Sequence, residues 1–92
     1  MLRRTLEMTI ARAEFLRLLP AAVGPFEVEG EEVRSTGAYP SWTIRLVPLA
    51  GHRLGNLAVP RHRVEIDIEG GTEAEALAFM GRFRRAFLRG GG

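Results

Sequence analysis

The hydrophobic positions change period several times along the chain. Leu6, Met8 and Ile10 alternate with Thr5, Glu7 and Thr9, and a period of two puts one set of side chains on one face of a half-buried strand. Phe15, Leu18, Leu19 and Ala22 then recur at helical spacing, among Arg12, Glu14 and Arg17. Thr9 is the N-cap this pattern offers. Pro20 has no N–H to donate and its ring crowds the preceding turn, so this helix is expected to end or kink near Leu19. Gly24-Pro25 marks a turn. Phe26 and Val28 alternate with Glu27 and Glu29 up to Gly30, and Val33 sits in another extended run. That stretch fits one bent strand or a small hairpin.

Trp42, Ile44 and Leu46 alternate with Thr43, Arg45 and Val47. Pro48 ends that strand or confines it to an edge. Gly51-His52-Arg53-Leu54-Gly55 reads as a loop or turn, and Leu57 and Val59 as a short strand before Pro60. Val64, Ile66 and Ile68 alternate with Arg63, Glu65, Asp67 and Glu69 in the clearest strand of the chain. Gly70-Gly71 breaks it. Thr72 and Glu75 then form a capping box, each side chain satisfying a backbone N–H that the first helical turn leaves free. The helix should run to Leu88 or Arg89, with its acids at the positive end and Arg82, Arg84, Arg85 and Arg89 towards the negative end. Its core stripe is Ala76, Phe79, Met80, Phe83 and Phe87.

These elements predict one α+β domain over 1–92, with residues 90–92 a flexible tail. The sheet is antiparallel with four to five strands, the order is β-α-β-β-β-β-α, and the two helices lie mainly on one face. The same order resembles one half of the TATA-binding-protein fold and, enlarged, the helix-grip ligand binders. That resemblance rests on element order, without a shared motif, and implies no function.

Composition narrows the picture. At 92 residues there is room for one core and little for an enclosed substrate cavity. No segment is apolar and long enough to span a membrane. Glu7, Arg12 and Glu14 interrupt any signal-peptide core, so the cytoplasm is the default expectation. There is no cysteine. All 13 basic residues are arginine, a bias that a GC-rich genome produces without selection on side chains. The net charge of +2 is too small to argue nucleic-acid binding from charge alone.

The candidate chemistry is sparse. His52 and His62 stand among arginines, without a nucleophile motif or a zinc spacing. Glu65, Asp67 and Glu69 share one strand face, which more often marks solvent than a hard cation. No dinucleotide or Walker pattern accompanies Gly51 and Gly55. No catalytic residue, metal or cofactor is expected, and the chain is read as non-enzymatic.

Two surfaces remain. Arg45, His52, Arg53, Arg61, His62 and Arg63 lie in a stretch with no acid, and form a candidate anion- or partner-binding patch; Arg53, Arg61 and Arg63 would carry an RNA-binding alternative. On the last helix, Ala74, Ala78 and Gly81 form a small-residue side, with Leu77 and Leu88 apolar and Arg82 and Arg85 flanking. That face is expected to pack on the first helix or on a protein partner, including a second copy. The terminal Arg89-Gly90-Gly91-Gly92 resembles the Gly-Gly ends of ubiquitin and sulfur carriers. That resemblance implies a carrier activated at its C-terminus, although here the tail follows a helix rather than a strand. The favoured expectation is a protein-interaction or assembly module acting through an arginine-rimmed surface.

Overall fold

The structure is a computed structural model that describes residues 2–37 and 40–88. Its elements are β1 (Leu2–Met8), α1 (Arg12–Val23), β2 (Phe26–Glu29), β3 (Glu32–Ser35), β4 (Ser41–Leu54), β5 (Leu57–Glu69) and α2 (Glu73–Leu88). The five strands form one sheet in the order β1-β5-β4-β3-β2, every neighbouring pair antiparallel. The predicted α+β class and element order are therefore observed. Residues 90–92 lie outside the described residues.

The register sorts the side chains into two faces. Leu2, Leu6 and Met8 lie opposite Ile68, Val64 and His62, while Trp42, Ile44 and Leu46 lie opposite Ile68, Ile66 and Val64. This face meets both helices. Phe15 and Leu19 of α1, Phe79 and Phe83 of α2, and Val33, Ile44, Leu46, Val64, Ile66 and Ile68 of the sheet are fully buried in one cluster. Phe15, Phe83 and Phe87 join the helices, with ring centroids 4.7 Å apart for Phe15–Phe87 and for Phe83–Phe87. Trp42 packs on Phe79 at 5.7 Å. The opposite face is open and charged: Arg3 pairs with Asp67 at 2.6 Å, Arg63 with Glu65 at 2.9 Å and Arg34 with Glu29 at 2.9 Å.

Several local expectations change. Helix α1 begins after Ala11, whose side chain makes no cap hydrogen bond. Thr9 is therefore not its N-cap; the Ile10 carbonyl instead accepts from His62 Nδ1 at 2.8 Å, which fixes the chain before the helix starts. The helix also passes through Pro20 and ends at Val23. Ala22 is buried and Val23 packs against the core, so burial of the final turn outweighs the bond lost at the proline. Gly24 closes this helix with φ of 79° and donates to the Pro20 carbonyl at 3.3 Å. The ambiguous region after it is a hairpin, β2–β3, turned by Gly30-Glu31.

The largest change concerns residues 48–60. Neither proline ends a strand, and Gly51–Leu54 is strand rather than loop. The Leu46 N–H donates to the Glu31 carbonyl at 2.8 Å, so the even-numbered backbone groups of β4 here point towards β3. At Pro48 the missing N–H would point the same way, beyond the end of β3. Leu46 pairs with Val64, so the corresponding groups of β5 point towards β1, and Pro60 faces the space beyond Met8. Both prolines sit where the neighbouring strand has stopped, the position at which a sheet tolerates them. Past these points β4 and β5 continue as a two-stranded ribbon to a turn at Gly55-Asn56, with Gly55 at φ 63°. Glycine first in a two-residue turn is the requirement of a type II′ hairpin.

Candidate functional site

The register places a bulge on β4 within the ribbon. Leu49 pairs with Arg61 and His52 with Val59, so β4 takes one more residue than β5 between these pairs. An inserted residue reverses which β4 side chains face which side. Gly51 lies in the bulge: a Cβ there would stand 2.8 Å from the Val59 carbonyl oxygen. The loop expectation fails here because the bulge needs a small residue at a backbone contact, and a single sequence displays that need only as a glycine resembling a turn.

The bulge divides the predicted arginine patch. Strand β5 keeps its alternation, so Leu57, Val59, Arg61 and Arg63 share the open face, while Ala58 and Pro60 lie on the side of His62. Arg53 pairs with Ala58 and therefore sits on the ribbon face away from Arg61 and Arg63. Arg61 donates to Glu7 at 2.9 Å and to the Ala50 carbonyl at 3.1 Å. Arg63 binds Glu65, and Arg45 stands 3.9 Å from Glu31. His62 is 8% exposed on the helix side of the sheet. Its Nδ1 faces the Ile10 carbonyl, which can only accept, so this nitrogen carries the proton. It thereby ties the β1–α1 connection to β5 and is turned away from the open-face arginines. The side chain of His52 lies outside the described ones.

What the fold does gather on the open face of the ribbon is apolar. Leu54 and Leu57 pair across its end and are 66% and 63% exposed. Val59 follows Leu57 on this face, and Leu49 and Val47 pair with Arg61 and Arg63. Apolar side chains thus run down from the tip, bordered by two arginines and by Glu7. The sequence contained the residues for this surface, but the expected loop at 51–55 hid their alignment.

The second candidate surface is only partly as expected. Ala74, Leu77 and Ala78 are exposed on α2. Gly81 is not a close-packing site within the chain: a Cβ there would meet only Arg85 Nη1, at 3.6 Å. Arg82 is turned towards α1, where its Nε donates to the Ala22 carbonyl at 3.3 Å, satisfying a group at that helix end. The helices meet through their aromatic sides, so the small-residue side does not pack on α1. Arg85 is exposed, and the side chain of Leu88 lies outside the described ones.

Titration and metal chemistry add little. The Asp67 hydrogen bond and charge raise the pKa of Arg3, and the Arg17 hydrogen bond lowers that of Glu14. Among the described residues, no three acidic or histidine side chains converge as a metal site, and no helix is long and apolar enough to cross a membrane. No protein-family model matches the chain, and neither a curated protein nor a solved structure shows significant similarity to it.

Proposed function

We propose that this chain is a non-catalytic protein-interaction module that engages its partner through the open face of the β4–β5 ribbon. The observation that carries this reading is the pair Leu54 and Leu57, both mostly exposed at the end of the β4–β5 hairpin. A ribbon gains little from solvent-facing leucines, which lose free energy in water of roughly 25 cal/mol per Å² of apolar surface. A partner that covers them recovers that term, and the apolar flank through Val59, Leu49 and Val47 extends the contact. Arg61 and Arg63, each held by a carboxylate, give the contact a polar rim.

The RNA alternative loses its support. Its arginines fall on different ribbon faces, Arg61 and Arg63 already meet carboxylates, and Trp42 is buried. Single-strand readers need exposed rings beside the positive charge. Tyr39 and the terminal glycines of the carrier alternative lie outside the described residues.

The test is affinity capture with the wild type and with Leu54→Lys/Leu57→Glu. These are surface changes that set opposite charges across the strand pair, so folding stability should move by no more than about 0.5 kcal/mol. The expected result is a partner retained by the wild type, insensitive to nuclease, and lost from the variant. Equal capture by both proteins, or an association abolished by nuclease, overturns the reading.

A further inference from the structure

We propose that a second copy of this chain pairs with the first along β1, antiparallel and about a twofold axis at Thr5, joining the two sheets into one. This pairing uses the free edge of the sheet, and it shares Glu7 with the border of the ribbon surface. Strand β1 is an edge strand seven residues long, without proline or bulge. The opposite edge, β2, has four residues. Natural sheets shorten, kink, cover or charge an edge that must stay unpaired; β1 has charges alone, and they change sign along it, from Arg3 and Arg4 to Glu7.

The direction of the backbone groups on β1 follows from the sheet. The Leu46 N–H reaches β3 and that of Trp42 reaches Ser35 Oγ at 3.0 Å. The even-numbered groups of β5 therefore face β1, and Leu2, Arg4, Leu6 and Met8 answer them. Arg3, Thr5 and Glu7 direct their backbone N–H and C=O groups outward. Arg4 Nη1 already donates to the outward carbonyl of Arg3, at 3.1 Å.

With the axis at Thr5, each outward residue faces an outward residue of the other copy. Thr5 meets Thr5, and Arg3 meets Glu7 in both directions. Every outward backbone group on Arg3, Thr5 and Glu7 then gains a partner. Moving the axis to Arg3, Arg4 or Glu7 sets like charges opposite each other, which is destabilising in a cross-strand pair, and moving it to Leu6 sets Glu7 opposite Thr5 and Arg3 opposite Thr9, past the end of the strand. On the helix side the Thr5 register brings Leu2 against Met8 and Arg4 against Leu6. Each copy has two hollows between β1 and α2, one of about 270 Å³ beside Leu2, Arg4 and Leu77, the other of about 230 Å³ beside Leu6, Met8 and Phe87. The twofold places the first hollow of one copy next to the second of its partner. Leu77, 51% exposed, lies on the same flank of α2.

The test uses sedimentation velocity over a concentration series that reaches the high micromolar range. The wild type should dimerise. Thr5→Pro removes the N–H on the axis, and an edge strand tolerates proline where that group faces outward, so the variant should stay folded by circular dichroism and sediment as a monomer. Thr5→Lys keeps the fold by facing Glu65 within the chain and sets like charges on the axis, weakening association at low salt by about tenfold or more. Thr5→Cys supplies the only cysteine of the chain and should oxidise to a covalent dimer, since paired strands place such Cα atoms about 5.5 Å apart. A monomeric wild type overturns the proposal. So does a dimer that survives Thr5→Pro or Thr5→Lys but is lost on Ala78→Arg, since that dimer would use α2.

Discussion

Phe83 is buried between Phe15 and Phe87, where the two helices meet. Phe83→Ala should lower unfolding free energy by about 3–5 kcal/mol, measured by urea denaturation, because it removes a large apolar area and leaves a cavity that both helices must collapse to fill. His62 makes a different contribution. His62→Ala leaves the Ile10 carbonyl without its donor, at a cost of about 1–3 kcal/mol if water does not replace it. At the surface, Glu14 shows how little an exposed pair contributes. Arg17 holds its pKa below the ordinary 4.5. The stabilisation is present above that ordinary value and is lost as pH falls through the lowered one. Both groups are solvated, so Glu14→Gln should leave the denaturation midpoint at neutral pH almost unchanged.

Helix α1 carries its conflict in Pro20. The helix continues past the proline because Ala22 and Val23 are drawn into the core, not because the local sequence favours it. Pro20→Ala should restore a donor for the Leu16 carbonyl and stabilise the protein by about 1–3 kcal/mol in thermal or chemical denaturation. The ribbon behaves in the opposite way. Gly51→Ala forces a Cβ against the Val59 carbonyl, where backbone rather than a flexible side chain must move. The expected result is faster amide exchange over residues 52–59, with the core amides of Val64, Ile66 and Ile68 little affected, because the ribbon beyond Leu49 has no third strand to hold it.

For the molecule as a whole, sheet and helices are held by a single core, while ribbon and β1 edge remain outside it. Both outlying features are strands with one side unused, and they differ in what they present. The ribbon offers apolar side chains with its arginines at the border; the β1 edge offers backbone groups in a self-complementary charge pattern. The two adjoin at Glu7, which stands on β1 and accepts from Arg61 at the ribbon's border. On the charged open face, the exposed pairs Arg63–Glu65 and Arg34–Glu29 should contribute chiefly to solubility, and raising salt should change stability little.

The amino-acid sequence by itself determined the faces of the core. Val64, Ile66 and Ile68 alternate too regularly for any other element, and Thr72 with Glu75 closes a capping box whose two hydrogen bonds form at 2.7 and 3.1 Å. These signals are local: each depends on residues within a few positions of one another. What only the tertiary structure decided was where the neighbours end. Pro48 and Pro60 look like strand terminators until β3 and β1 are seen to stop beside them, and Gly51 looks like a turn until Val59 is seen against it. The same holds for the arginines, from whose group one inserted residue in β4 removes Arg53. A proline or a bulge glycine is permitted or forbidden by what lies across the strand, and that partner is distant in sequence.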